Sequence, residues 1–434
     1  MKIAVIGLGF VGLSLASVLG SKKINVIGID TDLKKIEKIK KGLPPFVEPD
    51  LEKKLKTALK QKLQISSEIK KVDDCDLIFV SVGTPQLQDG SINLTNIKLV
   101  AKNLGKQLKN STKKNYIIIK STVIPGTAKK IIKILEQTSG KTHGKDFEVI
   151  TNPEFLRESK AVEDTTNPHL IVLGGKNSSS LKKISKFYSS IHSNVPIIKT
   201  NHQTAEMIKY ANNAFLATKI SFINQIATIC EKIPGSNVED VAKAIGLDPR
   251  IGKLFLSAGP GYGGSCLPKD VKALINFSKD SRVKPTLLTA VNNTNNEQIK
   301  KIITKLEKIL GNIKNKQITI LGVAFKANTD DIRDSVSITL IKTLLNKGAK
   351  IIVHDPMAIE NTKRIFEDKI LYSNSIKNAL HGSNCGVIMT DWKVYQNISK
   401  SNFAVMKNKI IVDSRRILKF KKLDLEYHGI GIGN

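Results

Sequence analysis

Gly7, Gly9 and Gly12 form a Gly-x-Gly-x-x-Gly pattern directly after a short apolar segment, Lys2–Ile6, and open a run of small and apolar residues of helical length. Without those glycines, the 18 uncharged residues from Ile3 to Gly20 would read as a signal peptide or a membrane span. The glycines argue for another reading, and a second apolar strand, Asn25–Asp30, follows at once. Strand, tight glycine turn, helix and second strand make the opening of a doubly wound α/β domain.

Asp30 ends that second strand, 18 residues past Gly12. An acidic residue there accepts hydrogen bonds from an adenosine ribose and repels a 2′-phosphate, so the expected cofactor is NAD rather than NADP. Gly7 permits the turn, Gly9 lets the backbone approach a pyrophosphate, and Gly12 allows close helix packing. Phe10 and Val11 lie within the same anion-binding helix start. Asp32 is placed to share the role of Asp30, and Lys35, one helical turn on, faces either the ribose or water.

The first half of the chain alternates β-rich runs with amphipathic helical stretches, and strands are expected at Leu77–Val82, Tyr116–Lys120, Glu148–Thr151, Leu170–Leu173 and Val195–Ile198. That alternation means a parallel sheet covered by helices. From Asn201 to about Ile233 the pattern is one long apolar-periodic helix, with further helices through about Leu310. Alternation resumes at Gln317 with ITILGVAF, a helix from about Val336 to Asn346, IIVHDP, CGVIMTDW and IIVDSRR. The expected fold is α/β, with two Rossmann-like parallel-sheet domains joined by a central helical domain: 1–200 for NAD, 201–314 for dimerisation and 315–434 for a second ligand.

Charge and cysteine content narrow the partners. The net charge is +31, yet the lysines recur at helix-surface spacing along the whole chain, as in Leu33–Lys41, which fits solvated faces better than a nucleic-acid patch. Arginine is scarce, limited to Arg157, Arg250, Arg282, Arg333, Arg364, Arg415 and Arg416. In so lysine-rich a chain, arginines mark candidate sites for bidentate phosphate or carboxylate recognition. The four cysteines have neither disulfide nor zinc spacing, so a reducing, cytoplasmic setting without metal is expected. Cys75, Cys230 and Cys385 sit beside apolar runs and read as core residues.

Cys266 differs. It lies in GPGYGGSCLPKD, Gly259–Asp270, where four glycines within six residues allow tight bends and close approach to a bulky substrate. Pro268 suits the first turn of a helix, which places Cys266 just before a helix N-terminus, near Lys269, a setting that enriches thiolate. A thiolate beside NAD has a chemical use: an aldehyde must gain a nucleophile before its carbon can give up a second hydride.

GLGFVG, SVGTP, STVIPGT, NPEFLRES, the helix carrying Lys209 and Asn213, DPRIG, GPGYGGSCLPKD and FKANTDDIRDS together resemble the UDP-glucose/GDP-mannose dehydrogenase family, and the similarity covers essentially the whole chain. The resemblance implies a four-electron oxidation of a nucleotide sugar to a uronate with two NAD per turnover, UDP-glucose being the expected substrate. It implies Cys266 as nucleophile, Lys209, Asp270 and Asn213 as groups that move the substrate proton and hold the oxyanion, Glu154 as the acid/base of thioester hydrolysis, and Thr122 as the residue orienting a water. Thr84, Pro85, Ser121, Glu158, Lys269 and Arg333 join the expected cofactor surroundings. Phe155, Leu156, Arg157, Tyr262, Gly263, Phe325, Lys326 and Arg415 join the expected substrate contacts. Arg250 resembles a residue that reaches into a partner subunit, which implies at least a homodimer. Read from spacing alone, Glu154 and Glu158 are one helical turn apart and also fit an exposed surface pair.

The same chemistry on other sugars, as in GDP-mannose 6-dehydrogenase or a UDP-N-acetylhexosamine dehydrogenase, is the first alternative. A single-hydride β-hydroxyacid dehydrogenase, which needs no thiol and no third domain, and a basic nucleic-acid binder are the others.

Overall fold

The computed structural model describes residues 1–418 and 424–433. They fall into two compact units, Met1–Asn212 and Asn213–Asn434.

The first unit is built on an eight-stranded sheet with the order β3-β2-β1-β4-β5-β6-β7-β8. Its strands are β1 (Lys2–Ile6), β2 (Asn25–Ile29), β3 (Leu63–Ser66), β4 (Leu77–Val80), β5 (Asn115–Ile119), β6 (Phe147–Thr151), β7 (Ile171–Gly174) and β8 (Ile197–Thr200). Its helices are α1 (Phe10–Ser21), α2 (Leu33–Lys40), α3 (Leu51–Gln61), α4 (Thr95–Leu108), α5 (Thr127–Ser139), α6 (Ala161–Thr166) and α7 (Ser178–Ile191). Every residue of β4, β5 and β6 is buried, as expected for strands covered by helices on both faces. α1 is nearly all small or apolar because Gly12 through Gly20 are buried. Gly20 packs so close to α3 that an added Cβ would lie 2.9 Å from that of Ala58.

Two features depart from the sequence reading. The sheet is not wholly parallel, since β6 meets β7 antiparallel through a single registered pair, Thr151 and Gly174. β3 was not anticipated either, because LQIS is short and mostly half-buried or exposed and so carries no apolar run. The chain order reverses at β1, which lies between β2 and β4, and such a switch point opens a crevice at the carboxyl ends of the strands.

The long helix α8 (His202–Cys230) runs from the first unit into the second. The second unit continues with α9 (Val238–Gly246), α10 (Leu267–Asp280), α11 (Thr286–Leu310) and α12 (Val336–Asn346), the last with the limits read from sequence. Its sheet is six-stranded and parallel, in the order β11-β10-β9-β12-β13-β14. The strands are β9 (Gln317–Leu321), β10 (Lys350–His354), β11 (Leu371–Tyr372), β12 (Cys385–Ile388), β13 (Ile410–Asp413) and β14 (Glu426–Gly429). The two outer strands escaped the sequence reading: β11 has two residues, and β14 reads EYHG with one buried position. Ile223, Ala227, Ile302 and Leu306 from the helices share one core with Ile320, Val387 and Val412 from the sheet. No helix among the described residues is long and apolar enough to cross a membrane.

Candidate active site

At the switch crevice of the first unit, a cleft of about 340 Å³ is lined by Gly7, Gly9, Asp30, Lys35, Ser81 and Val82, among others. The three glycines there serve different ends. A Cβ at Gly7, whose φ is +89°, would sit 2.9 Å from the Ser81 carbonyl oxygen, and one at Gly12 would lie 1.9 Å from the Gly7 oxygen. Both are therefore demanded by the fold. A Cβ at Gly9 would meet nothing within 4 Å, so what Gly9 keeps clear is space for a bound group. Gly9 is also the N-cap of α1 and gives no side-chain cap, which leaves the first amides of that helix to an anion. The cradle fits a dinucleotide pyrophosphate.

Asp30 does more than the expected ribose contact. Its Oδ2 accepts from the Leu8 amide at 2.8 Å and from Lys35 Nζ at 2.9 Å, and its Oδ1 accepts from the Asp32 amide at 3.0 Å. Burial opposes ionisation, but the Lys35 bond and the two amides outweigh it and hold the carboxyl below its usual range. Three of its roughly four lone-pair positions are thus filled, leaving about one on Oδ1 for a ribose hydroxyl. Lys35 turns to Asp30, and Asp32 caps α2 by accepting from the Lys35 amide, so Asp32 is a structural cap. Thr84 donates to the Thr122 carbonyl at 2.8 Å and Ser121 to the Val82 carbonyl at 2.7 Å. These bonds stitch the loops after β4 and β5 together at the mouth of the cleft.

The segment after β6 carries NPEFLRES. It is irregular, with Ser159 at φ +62°, so the helical spacing read between Glu154 and Glu158 does not apply. Nor is Glu154 on the surface. It is 7% exposed and pairs with Lys209, 4% exposed, at 3.0 Å, while its other oxygen accepts from the Leu156 amide at 2.5 Å. Burial pushes the Glu154 carboxyl up, yet the Lys209 charge, the Leu156 amide and Lys120 prevail and hold it below its ordinary value. The Lys209 ammonium also stands 5.5 Å over the Phe155 ring. Arg157, by contrast, has its fork committed to Asp164, with bonds of 3.0 and 2.5 Å, and its proposed contact with substrate would require that pair to open. Glu158 is half-buried on the same segment.

In the second unit Cys266 is exposed and is the N-cap of α10, with Pro268 in the first turn. The expected helix-start cysteine is present. Ser265 Oγ lies 3.6 Å from its sulfur. Asp270, 1% exposed, accepts from Asn213 Nδ2 at 2.6 Å and from Lys269 Nζ at 2.5 Å. The reason for the glycines differs from the one read in the sequence. A Cβ at Gly261 would meet Asn295 Oδ1 at 2.7 Å, at Gly263 the Asp334 oxygen at 2.4 Å, and at Gly264 the Phe325 ring at 2.6 Å. The protein itself, not substrate, takes that space. Asn295 clamps the backbone of Tyr262 in both directions, at 2.8 and 3.0 Å, and the Tyr262 hydroxyl is buried with no hydrogen-bond partner among the described residues.

The loop bearing Phe325, Lys326 and Arg333 is fastened to the cysteine loop by the Gly264 amide, which donates to the Arg333 carbonyl at 3.0 Å. The Arg333 side chain is exposed and forks onto Asp331. Lys326 reaches over the Phe325 ring at 5.6 Å. Arg415 is half-buried and bonded through Nε to the Met389 carbonyl at 2.9 Å, and loss of solvation lowers its pKa. Arg416 instead pairs with Glu239 at 3.1 Å. Arg250, 87% exposed, folds back on Asp248.

Several residues here carried no sequence signal. Half-buried Lys120 joins buried Asn152 and Tyr188 in a polar cluster, and Glu48 accepts from the Ser159 and Ala161 amides at 2.9 and 2.7 Å. Glu206 accepts from the Gly126 and Ala128 amides at 2.6 and 2.7 Å. A lysine ending the apolar run YIII was the one visible anomaly.

Three domains of one sequence family match this chain. They are described as the UDP-glucose/GDP-mannose dehydrogenase family NAD binding domain over residues 1–192, its central domain over 203–297 and its UDP binding domain over 319–420. UDP-glucose 6-dehydrogenase TuaD of Bacillus subtilis is 38% identical, with 99% of this chain and 93% of that protein aligned. UDP-glucose 6-dehydrogenase of Rickettsia conorii is 39% identical over 99% of each. Among solved structures, a UDP-glucose dehydrogenase from Pyrobaculum islandicum superposes with a TM-score of 0.93 at 32% identity, covering 99% of this chain and 98% of that one.

Proposed function

The chain belongs to the UDP-glucose/GDP-mannose dehydrogenase family, and from that premise we propose that it oxidises UDP-glucose to UDP-glucuronate with NAD. The observation that carries this reading is the exposed Cys266 at the start of α10, four residues before a buried carboxylate that is bonded to both Asn213 and Lys269. Full-length relatives named UDP-glucose 6-dehydrogenase, at 38% and 39% identity, support the sugar.

NAD, when bound in the first unit, supplies the hydride acceptor at both the alcohol and the thiohemiacetal stage, two molecules in succession per sugar. The groups of the chain do the rest. Asp270 takes the proton from the primary hydroxyl, which the Lys209 ammonium polarises. The Cys266 thiolate adds to the resulting aldehyde carbon, and the carbonyl electron pair moves onto oxygen, where N–H donors of Asn213 and Lys209 hold it. Asn213 donates to Asp270 and Lys209 pairs with Glu154, and these bonds fix where the two groups stand. After the second oxidation the carbon is a thioester. Glu154 takes a proton from water oriented by Thr122, the water oxygen attacks the carbonyl, the C–S bond breaks, and the thiolate of Cys266 leaves with the electron pair.

The nucleotide end is assigned to Phe325, Lys326 and Arg415, with Tyr262 offering its orphaned hydroxyl to the ligand. Residues 1–200 serve NAD, 201–314 serve assembly and 315–434 serve the nucleotide sugar. A cytoplasmic homodimer is the working form. Phe215, Phe222 and Ile229 support it, recurring every seven residues on α8 with exposures of 64%, 50% and 48%. Such a stripe needs a partner.

The test is a substrate panel of UDP-glucose, GDP-mannose and UDP-N-acetylglucosamine read by NADH absorbance. UDP-glucose should be preferred, with two NADH formed per sugar. One NADH per sugar, or preference for another sugar, contradicts the reading.

A further inference from the structure

Lys120 is a half-buried cation to which the reaction above gives no task. It follows β5 and directly precedes Ser121 and Thr122. Its Nζ donates to Asn152 Oδ1 at 3.1 Å, the Tyr188 hydroxyl donates to the same oxygen at 2.5 Å, and Asn152 Nδ2 donates to the Val172 carbonyl at 2.8 Å. Asn152 stands two residues before Glu154, so this cluster fixes the root of the segment that presents the carboxylate. Lys120, Asn152, Glu154, Tyr188, Asp164 and His192 all line one enclosed pocket of the first unit.

The charges facing Glu154 come from several elements. Lys209 approaches from α8 and Lys120 from the end of β5. Asp164 on α6 is already neutralised by Arg157. His192, after α7, points its Nδ1 at the Thr166 carbonyl, 3.1 Å away, and His169 lies edge-on to Phe155 with ring centres 5.8 Å apart. Two ammonium groups therefore serve one carboxylate. During the reaction Lys209 has a second claim on it, the substrate oxygen.

We propose that Lys120 is a positioning residue for thioester hydrolysis: through Asn152 it holds the segment carrying Glu154, and it keeps Glu154 ionised once Lys209 turns to the substrate oxygen. The proposal rests on the assignment of Glu154 as the hydrolytic base. Burial lowers the Lys120 pKa to about 8, so the group still carries its charge at neutral pH. Glu154 acts as a base only above its own pKa, and removing a nearby cation raises that pKa, so activity on the acid side must fade at higher pH when Lys120 is lost.

The experiment compares the pH dependence of the steady-state rate with the first-turnover NADH burst in wild type, Lys120→Met, Lys120→Arg and Tyr188→Phe. In Lys120→Met the acid midpoint should rise by about one unit, a roughly tenfold slower steady state on that limb, while the burst stays within about twofold. Lys120→Arg and Tyr188→Phe should keep the wild-type midpoint, the first because it keeps the cation and the second because it removes only a neutral donor. An unmoved midpoint in Lys120→Met, or burst and steady state falling together at every pH, overturns the proposal. If the Met variant does not fold, a shifted midpoint in Lys120→Arg overturns it and an unshifted one supports it. Glu154→Gln tests the underlying assignment separately: it must keep the burst and lose the steady state.

Discussion

Asn213 donates its side-chain amide to Asp270 across 2.6 Å, joining two residues 57 positions apart in sequence. Lys269 occupies the other carboxylate oxygen at 2.5 Å. These two bonds fix the carboxyl group in place one helical turn past Cys266. Asp270→Asn keeps the shape and removes the charge. It should lower kcat by about 10²- to 10⁴-fold, the usual scale for a proton-moving group, with NAD affinity unchanged. A kcat within about threefold of wild type would show that Asp270 only supports the loop.

Gly9 and Gly12 separate cofactor binding from folding. Gly12→Ala forces a Cβ to within 1.9 Å of the Gly7 oxygen, which no rotamer change relieves, and should cost at least about 3 kcal/mol in stability. Gly9→Ala places its methyl in open space and should melt within a few degrees of wild type while NAD binding, followed by nucleotide fluorescence quenching, weakens at least about tenfold. Equal loss of stability in the two variants would contradict the assigned roles.

Glu206 makes the thermal stability of the protein depend on pH in an uncommon direction. Burial raises its carboxyl from 4.5 to about 7, against the opposing pull of the Ala128, Gly126 and Thr127 amides. Between those two values the folded chain holds a proton that the unfolded chain has released, so this group's contribution is complete below about pH 4.5 and is lost as pH rises towards 7. The loss is on the order of 3 kcal/mol. Glu206→Gln cannot ionise, so its melting temperature relative to wild type should climb from pH 5 to pH 8. A flat or falling difference would mean that the amides outweigh burial.

Phe222 is at the middle of the exposed stripe on α8. Phe222→Glu places a charge there and should convert the assembly to monomers in light scattering, with folding intact by circular dichroism. An unchanged molar mass would remove this face from the assembly.

Much of this architecture was legible because the chemistry is local. Gly7, Gly9, Gly12 and Asp30 lie within one strand-turn-helix-strand unit, and Cys266 with Pro268 announces its own helix start. The helix expected from about Val336 to Asn346 is present as α12. What stayed hidden depends on partners far along the chain. Gly261, Gly263 and Gly264 make room for Asn295, Asp334 and Phe325, which spacing cannot reveal. Glu154 and Glu158 looked like a helical pair, yet Glu154 is buried against Lys209, 55 residues away in the sequence. The short edge strands β3, β11 and β14 carry too little apolar patterning to announce themselves, and nothing in local sequence marks β7 as antiparallel to β6.

Cys266 carries the central claim, and peptide mass spectrometry after a single-turnover quench tests it most directly. Wild type mixed with UDP-glucose and NAD, then quenched in acid, should carry a covalent uronyl adduct on the tryptic peptide containing Cys266. Cys266→Ser should bind NAD normally, carry no adduct and release no UDP-glucuronate. Full uronate production by Cys266→Ser, or an adduct on any other residue, would contradict the account.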